Sequence, residues 1–181
     1  MIFTEKRITL KNHKTAILRS PKIEDAEELL NNIVASSGET EFLTNYPEEY
    51  TMGVEGETAW IRSHLESLDS LVICCEMEGK IVASCDLRFN SKIKTSHRAA
   101  LGITVRRAYW GLGIGSAMFE AMIAAAKGRG VEIMELEFLE GNNRAKHLYE
   151  KFGFRVASYR PNAFRLKDGT MLGEFYMQKY L

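Results

Sequence analysis

Leu101-Gly102-Ile103-Thr104-Val105-Arg106-Arg107-Ala108-Tyr109-Trp110-Gly111-Leu112-Gly113-Ile114-Gly115-Ser116 is the stretch on which the fold turns. Its first part belongs to Ala99–Val105, which reads as a strand. Its last part opens Ser116–Lys127, a helix rich in Ala and Met that Gly128 and Gly130 stop. Three glycines alternate between the two elements. Glycine lets a backbone turn tightly and approach a ligand with no Cβ in the way. The first N–H groups of the next helix have no internal partners and lie at the positive end of its dipole. Strand, glycine turn and helix in that order make a site for phosphate or pyrophosphate. The same turn also permits close helix–strand packing. Two familiar nucleotide motifs fail: from Gly113 the sixth position is Met118, so GxGxxG is not met, and no lysine precedes Ser116 as a P-loop requires.

Outward from this turn, the order of elements is that of an α/β chain. Upstream, Leu71–Met77 and Ile81–Phe89 flank Glu78-Gly79-Lys80 and read as an antiparallel hairpin. Asn90–Arg98 is a polar loop. Further back, Thr15–Arg19 is a short strand, and Ser20-Pro21 reads as an N-cap and first helical residue. Ile23, Ala26, Leu30, Ile33 and Val34 then recur at helical spacing as far as Gly38. Glu41–Gly56 is an acidic loop holding Tyr46 and Tyr50, and Trp60, Ile61, His64, Leu65 and Leu68 share one face of a second helix. Downstream come a strand over Val131–Phe138, a helix over Asn142–Phe152 ended by Gly153, and closing strands at Phe154–Tyr159 and Leu172–Tyr180. No repeat and no Pro/Gly/Ser-rich linker divides the chain, so one domain over residues 1–181 is expected, a mixed sheet with helices on its faces.

Composition narrows the function classes. Of 181 residues, 45% are hydrophobic and 27% charged, a globular balance that excludes intrinsic disorder. The 24 basic and 24 acidic residues cancel, which argues against nucleic acid as a partner. No apolar run is long enough to span a bilayer, and Glu5, Lys6 and Arg7 interrupt any leader-like start, so a cytoplasmic protein with no membrane partner is expected. Cys74, Cys75 and Cys85 form no CxxC and read as reduced thiols in buried strands, with no metal.

Trp110-Gly111-Leu112-Gly113-Ile114-Gly115, preceded by Ile103-Thr104-Val105, resembles the Q/R-x-x-G-x-G/A motif of the GNAT superfamily of acyl-CoA-dependent N-acetyltransferases. Gly113 and Gly115 match the motif glycines; Trp110 departs from its first position and removes one charge contact. Asn142-Asn143-Arg144-Ala145-Lys146-His147-Leu148-Tyr149-Glu150-Lys151-Phe152-Gly153-Phe154 is similar to the family's N-x-x-A-x-x-L-Y-x-K-x-G-F segment. The resemblance covers Leu71–Phe154 by motif and the rest by order of elements. It implies a mostly antiparallel sheet splayed between its fourth and fifth strands, here Ala99–Val105 and Val131–Phe138, with acetyl-CoA as cosubstrate in the opening.

Residue roles follow from that resemblance. Backbone groups of Ile103 and Val105 pair with the pantetheine amides, and the Val105 N–H faces the oxyanion. N–H groups of Gly111, Leu112, Gly113, Ile114, Gly115 and Ser116 hold the pyrophosphate. Asn142 contacts the cofactor arm, caps its helix, or both. Tyr149 protonates the leaving thiolate or is a core aromatic. Relatives often carry a glutamate on the fourth strand; Arg98-Ala99-Ala100-Leu101-Gly102 has none. Asp86, Glu137 (beside Glu135) and His97 are the alternatives for the base. Direct transfer to a small-molecule or peptide amine is the leading expectation, and a non-catalytic acyl-CoA-binding protein is the alternative. The acidic segment Glu41–Glu57 suits a cationic amine or is a solvated loop. Many relatives dimerise, so a homodimer is a further expectation.

Overall fold

The computed structural model describes the whole chain, Met1–Leu181. Eight strands form one sheet in the order β1-β2-β3-β4-β5-β6-β8-β7. They are β1 (Lys6–Thr9), β2 (Thr15–Arg19), β3 (Ser70–Met77), β4 (Lys80–Phe89), β5 (Arg98–Val105), β6 (Ile133–Leu139), β7 (Arg155–Arg165) and β8 (Met171–Tyr180). Every adjacent pair is antiparallel except β5 and β6. β3 is buried at all but one position, as a central strand should be.

The parallel pair ends almost as soon as it begins. Arg98, Ala99 and Ala100 face Ile133, Met134 and Glu135, and pairing stops there. Beyond that point β5 stays with β4 as far as Val105↔Ala83, and β6 stays with β8 as far as Leu139↔Glu174. The sheet therefore opens between β5 and β6, as the sequence resemblance implied for these two segments.

Each face of the sheet carries two helices. In β4, Ala83, Cys85, Leu87 and Phe89 are buried while Ser84, Asp86 and Arg88 are not. The first set packs in the main core with α3 (Ile114–Gly128) and α4 (Asn143–Lys151), through Met118, Phe119, Met122 and Tyr149. The opposite face meets α1 (Ala26–Gly38) and α2 (Gly53–Glu66), where Leu29 and Ile61 cover Cys74 and Ile81. No helix is long and apolar enough to cross a membrane.

Several expectations are corrected. β1 has no counterpart among the expected strands: its four residues are mostly exposed and carry no apolar alternation. Ser20 is not a helix cap. Its hydroxyl accepts from Phe3 N–H at 2.8 Å and lies 3.2 Å from the Val72 carbonyl. α1 instead follows a 3-10 turn over Ile23–Asp25, and its buried positions are Ala26, Leu29, Asn32, Ser36 and Ser37 rather than Leu30 and Val34. α2 starts inside the expected acidic loop, and Leu68, past its end, is 76% exposed. α3 begins at Ile114, two residues before Ser116, because Gly113 ends the turn. The fifth expected strand starts at Ile133 rather than Val131. The penultimate strand runs on to Arg165, tolerating Pro161 on an exposed edge with a register shift between Arg160 and Phe164.

Arg19 ties the α1 side to the sheet. Its guanidinium lies 2.6 Å from Asp25 and 2.8 Å from Glu76, and the residue is 8% exposed. Burial raises the Asp25 carboxyl, but the Arg19 and Lys22 hydrogen bonds outweigh it and leave the group below its ordinary value. Arg19→Met strands two carboxylates and should cost about 3 kcal/mol in urea denaturation. A lowered carboxyl stabilises the fold fully above its unfolded pKa. The wild-type advantage over Asp25→Asn should therefore be complete above about pH 4 and shrink as the pH falls further. An advantage that persists unchanged into acid would contradict the role of this ion pair.

Candidate active site

The opening between β5 and β6 is part of a cleft of about 1370 Å³, larger than a typical small-molecule pocket. On β5, Arg106 N–H bonds Val82 at 3.0 Å and Asn90 N–H bonds Arg98 at 3.3 Å. Antiparallel pairing alternates, so the even-numbered β5 residues bond to β4. The main-chain groups of Ile103 and Val105 point the other way, into the opening. One of these four groups has a partner: Trp110 Nε1 donates to the Val105 carbonyl at 2.6 Å. The Val105 carbonyl therefore does not meet a ligand unshared.

The glycine turn sits at the mouth of the cleft. Gly111 and Gly113 have φ of +78° and +97°, a region side chains rarely occupy, and a Cβ there would meet nothing nearer than 3.9 Å. Gly113 is the N-cap of α3 and offers no side-chain acceptor, so the first N–H groups of α3 are uncapped from within. Gly115 serves packing: its Cβ would lie 3.1 Å from Leu148 of α4. Leu112 packs on the main core and Ile114 is fully buried. Lys151 donates to the Ser116 hydroxyl at 3.1 Å. Arg144 lies over the Trp110 ring at 4.7 Å, and the guanidinium is the nearest atom to a Cβ placed on Gly111. The positive charge missing from position 110 is thus brought to the turn by Arg144, which uses the indole as its platform.

α4 contributes the second group of residues. Asn142 is its N-cap, and Oδ1 accepts from Ala145 N–H at 3.2 Å. Tyr149 lines the cleft yet is 7% exposed, against Phe119 at 5.5 Å and Phe138 at 5.6 Å. Burial pushes its phenol up to about 12, so it is protonated at any physiological pH.

The structure divides the candidates for the base. Asp86 and Glu137 both line the cleft. Asp86 is raised by burial, against the pull of Arg88 3.1 Å away and of His64. Gly102, opposite on β5, makes room for it: a Cβ there would lie 2.8 Å from Asp86 Oδ1. Glu137 is exposed. Glu135 is held by Arg98 and by the Tyr176 hydroxyl. His97 lies at the paired end of β5, where its carbonyl accepts from Glu132 and Ile133, and is not in the cleft.

The acidic segment before α2 is partly structural. Tyr46 and Glu48 are engaged by Lys167 in the β7–β8 turn. The acidic segment expected from the sequence ends at Glu57 without singling it out; in the structure it is a cleft residue, 8% exposed, whose carboxyl burial raises. The signal was present: Glu57, Trp60, Ile61 and His64 recur at i, i+3, i+4 and i+7, which places the carboxyl on the inward face of α2.

Cys85 lines the cleft, but burial raises its thiol well above the usual range, and it lifts Cys74 and Cys75 to about 12. The native protein should resist iodoacetamide at pH 8 over a time in which the urea-unfolded chain alkylates all three. Rapid labelling of Cys85 in the native state, read by mass spectrometry, would mark it as a reactive thiol and contradict this burial.

A family model described as the acetyltransferase (GNAT) family matches residues 37–154. Comparison with curated protein sequences finds no significant match. Among solved structures, a GNAT-family acetyltransferase from Streptococcus pneumoniae is similar at 23% identity and TM-score 0.85, covering 92% of this chain and 99% of that one. A ribosomal-protein-alanine N-acetyltransferase from Brucella melitensis is similar at 23% identity and TM-score 0.79, covering 91% and 99%. A putative acetyltransferase from Salmonella typhimurium, solved with its cofactor acetyl-CoA, is similar at 20% identity and TM-score 0.78, covering 91% and 92%. At these identities the likeness is one of fold.

Proposed function

We propose, from the premise that this chain belongs to the GNAT acetyltransferase family, that it transfers an acetyl group from acetyl-CoA to a primary amine. One juxtaposition carries the reading. Strands that have parted lead directly to an uncapped helix N-terminus flanked by Arg144 and Lys151. Unpaired main-chain groups suit an amide-bearing arm, and helix N–H groups with two cations suit a pyrophosphate.

Acetyl-CoA supplies an activated thioester; the residues of this chain bind it, orient it and move protons. The N–H groups from Gly111 to Ser116 take the phosphates. The main chain of Ile103 holds the arm in the register of an added strand, which leaves the Val105 N–H free. Asn142 keeps the first turn of α4 formed through its capping bond, which fixes Tyr149 two turns along. The Val105 N–H also faces the carbonyl oxygen as charge develops there.

Two proton movements remain. An amine with a pKa of about 10.4 is protonated at neutral pH and cannot attack until a base takes its proton. Asp86 and Glu137 are the sequence-derived bases within reach of the cleft. The departing thiolate, with a thiol pKa of about 8.5, needs a donor. Tyr149 meets that need because burial keeps its phenol protonated. It is made whole by the proton the new amide nitrogen loses.

Saturating acetyl-CoA, at about 100 times its Kd, should raise Tm by roughly 5–10 °C, with ATP and NADH inert. Gly113→Val should abolish that rise, since a β-branched residue resists the left-handed conformation. Absence of any acetyl-CoA shift in the wild-type protein sinks the cofactor assignment. Tyr149→Phe should keep the shift and lose turnover 10²- to 10⁴-fold. Undiminished turnover would remove Tyr149 from the chemistry and leave it a core aromatic.

A further inference from the structure

We infer that Lys11, in the turn between β1 and β2, binds the cofactor's pyrophosphate and makes the N-terminal hairpin a wall of that site, an inference that rests on the acetyl-CoA reading of this cleft. The hairpin is docked on the glycine turn. Lys11 N–H donates to the Leu112 carbonyl at 3.0 Å, and Leu10 just before it is buried in the main core, as is Ile114. Leu10 N–H bonds the Lys14 carbonyl at 2.8 Å, and His13 N–H bonds the Leu10 carbonyl at 2.9 Å, so the hairpin turn is closed on itself. The Lys11 side chain therefore leaves from a fixed point. Its Cγ is the nearest atom to a Cβ placed on Gly113, at 3.9 Å, and the residue is exposed and lines the cleft.

The neighbours of the glycine turn alternate. Gly111 faces Arg144 and Gly115 faces Leu148, both on α4. Ser116 meets Lys151, also on α4. Gly113 lies between them, at the N-cap where the free N–H groups of α3 gather, and it faces Lys11 instead. The α4 cations thus flank the ends of the turn, and the N-terminal hairpin supplies the cation at its middle. None of these cations has a carboxylate partner; the ion pairs of the chain engage other basic residues. Lys14, in the same hairpin turn, shows the contrast, since Glu78 holds its ammonium at 2.7 Å. The 24 basic residues of the chain are balanced by 24 acidic ones, so unpaired cations drawn from two distant segments to one turn are a local excess. Such an excess attracts an anion and is relieved by it.

Position selects the phosphate. Coenzyme A carries a pyrophosphate and, further out, a phosphate on its ribose. The stem of Lys11 lies against the N-cap of α3, so its ammonium meets the group held by the first N–H groups of that helix. A lysine ammonium is a point charge on a flexible stem and suits a phosphate oxygen without a fixed approach. The backbone bond to Leu112 keeps the hairpin, and with it this charge, beside the turn.

The test measures binding of acetyl-CoA and acetyl-dephospho-CoA by titration calorimetry at low salt, for wild type, Lys11→Gln, Lys11→Arg and Lys14→Gln. Acetyl-dephospho-CoA keeps the pyrophosphate and lacks the ribose phosphate. Lys11→Gln should weaken both ligands about tenfold in Kd. Lys11→Arg should restore most of that affinity, because the charge is kept. Lys14→Gln removes a cation that Glu78 already neutralises and should bind both ligands as wild type does. The gap between wild type and Lys11→Gln should narrow as salt is raised. Wild-type affinity in Lys11→Gln overturns the inference. So does an equal loss in Lys14→Gln, which reports a general field, and so does a failure of Lys11→Arg to restore binding, which marks a structural residue. A loss confined to acetyl-CoA, or a wild type that binds acetyl-CoA alone, moves the contact to the ribose phosphate and overturns the pyrophosphate assignment. A wild type that binds neither ligand overturns the cofactor reading instead.

Discussion

Two parallel strands that stop pairing after three residues create the condition from which the rest of the molecule follows. Backbone N–H and C=O groups buried without partners are costly, and a parted sheet exposes a column of them on each side. The outer edges of the sheet, β1 and β7, lie at the surface, where water meets such groups. Here β5 is locked to β4 and β6 to β8, so neither can swing back without breaking a longer ladder. The opening is a stable feature of the sheet because the stronger pairings lie outside it. Trp110 closes one carbonyl with its indole and leaves the rest.

Around this opening the two faces of the sheet acquire different chemistry. On the α3 and α4 side, glycine backbone, a helix N-terminus, Arg144 and Lys151 gather positive potential at the mouth. On the α1 and α2 side, acids line the cleft; Glu39, Glu49 and Asp86 are bound by neighbours, while Glu57 and Glu137 are not. The division follows from strand alternation. Asp86, Gly102 and Thr104 point toward α1 and α2, while Cys85 and Leu101 point into the core under α3. Several residues serve fold and site together. Tyr149 belongs to the aromatic core with Phe119, Phe138 and Phe154 and also borders the cleft, so the rigidity of the core positions its hydroxyl.

The elements legible in the sequence are those whose signals are local. β2 and the β3–β4 hairpin declare themselves by apolar runs and turn residues, and α3 and α4 by glycines at their ends. The motif segments around Gly113 and Tyr149 were readable because the backbone conformation they demand is written in residue type. Ser20-Pro21 misled for the converse reason. A serine before proline is a good local cap, but the hydroxyl has long-range partners in Phe3 and Val72, and the helix starts later. β1 carries no local signal because an edge strand needs backbone pairing and little apolar burial. Asn32 and Ser36 lie on the buried face of α1, which no hydrophobic count selects.

The sequence by itself determined an α/β chain with a glycine turn between a strand and a helix, a second motif ending in Tyr149, and a charge balance that disfavours nucleic acid, because these depend on residue type and short spacing. Tertiary structure alone decided where the parallel pairing ends, since that depends on which ladders compete. It also decided that Arg144 supplies the charge absent at Trp110, and that His97 falls at the closed end of β5 while Asp86 faces the cleft. It left Glu57 without a partner as well. A carboxyl's chemistry depends on what lies within a few ångströms of it, and those neighbours come from distant parts of the chain.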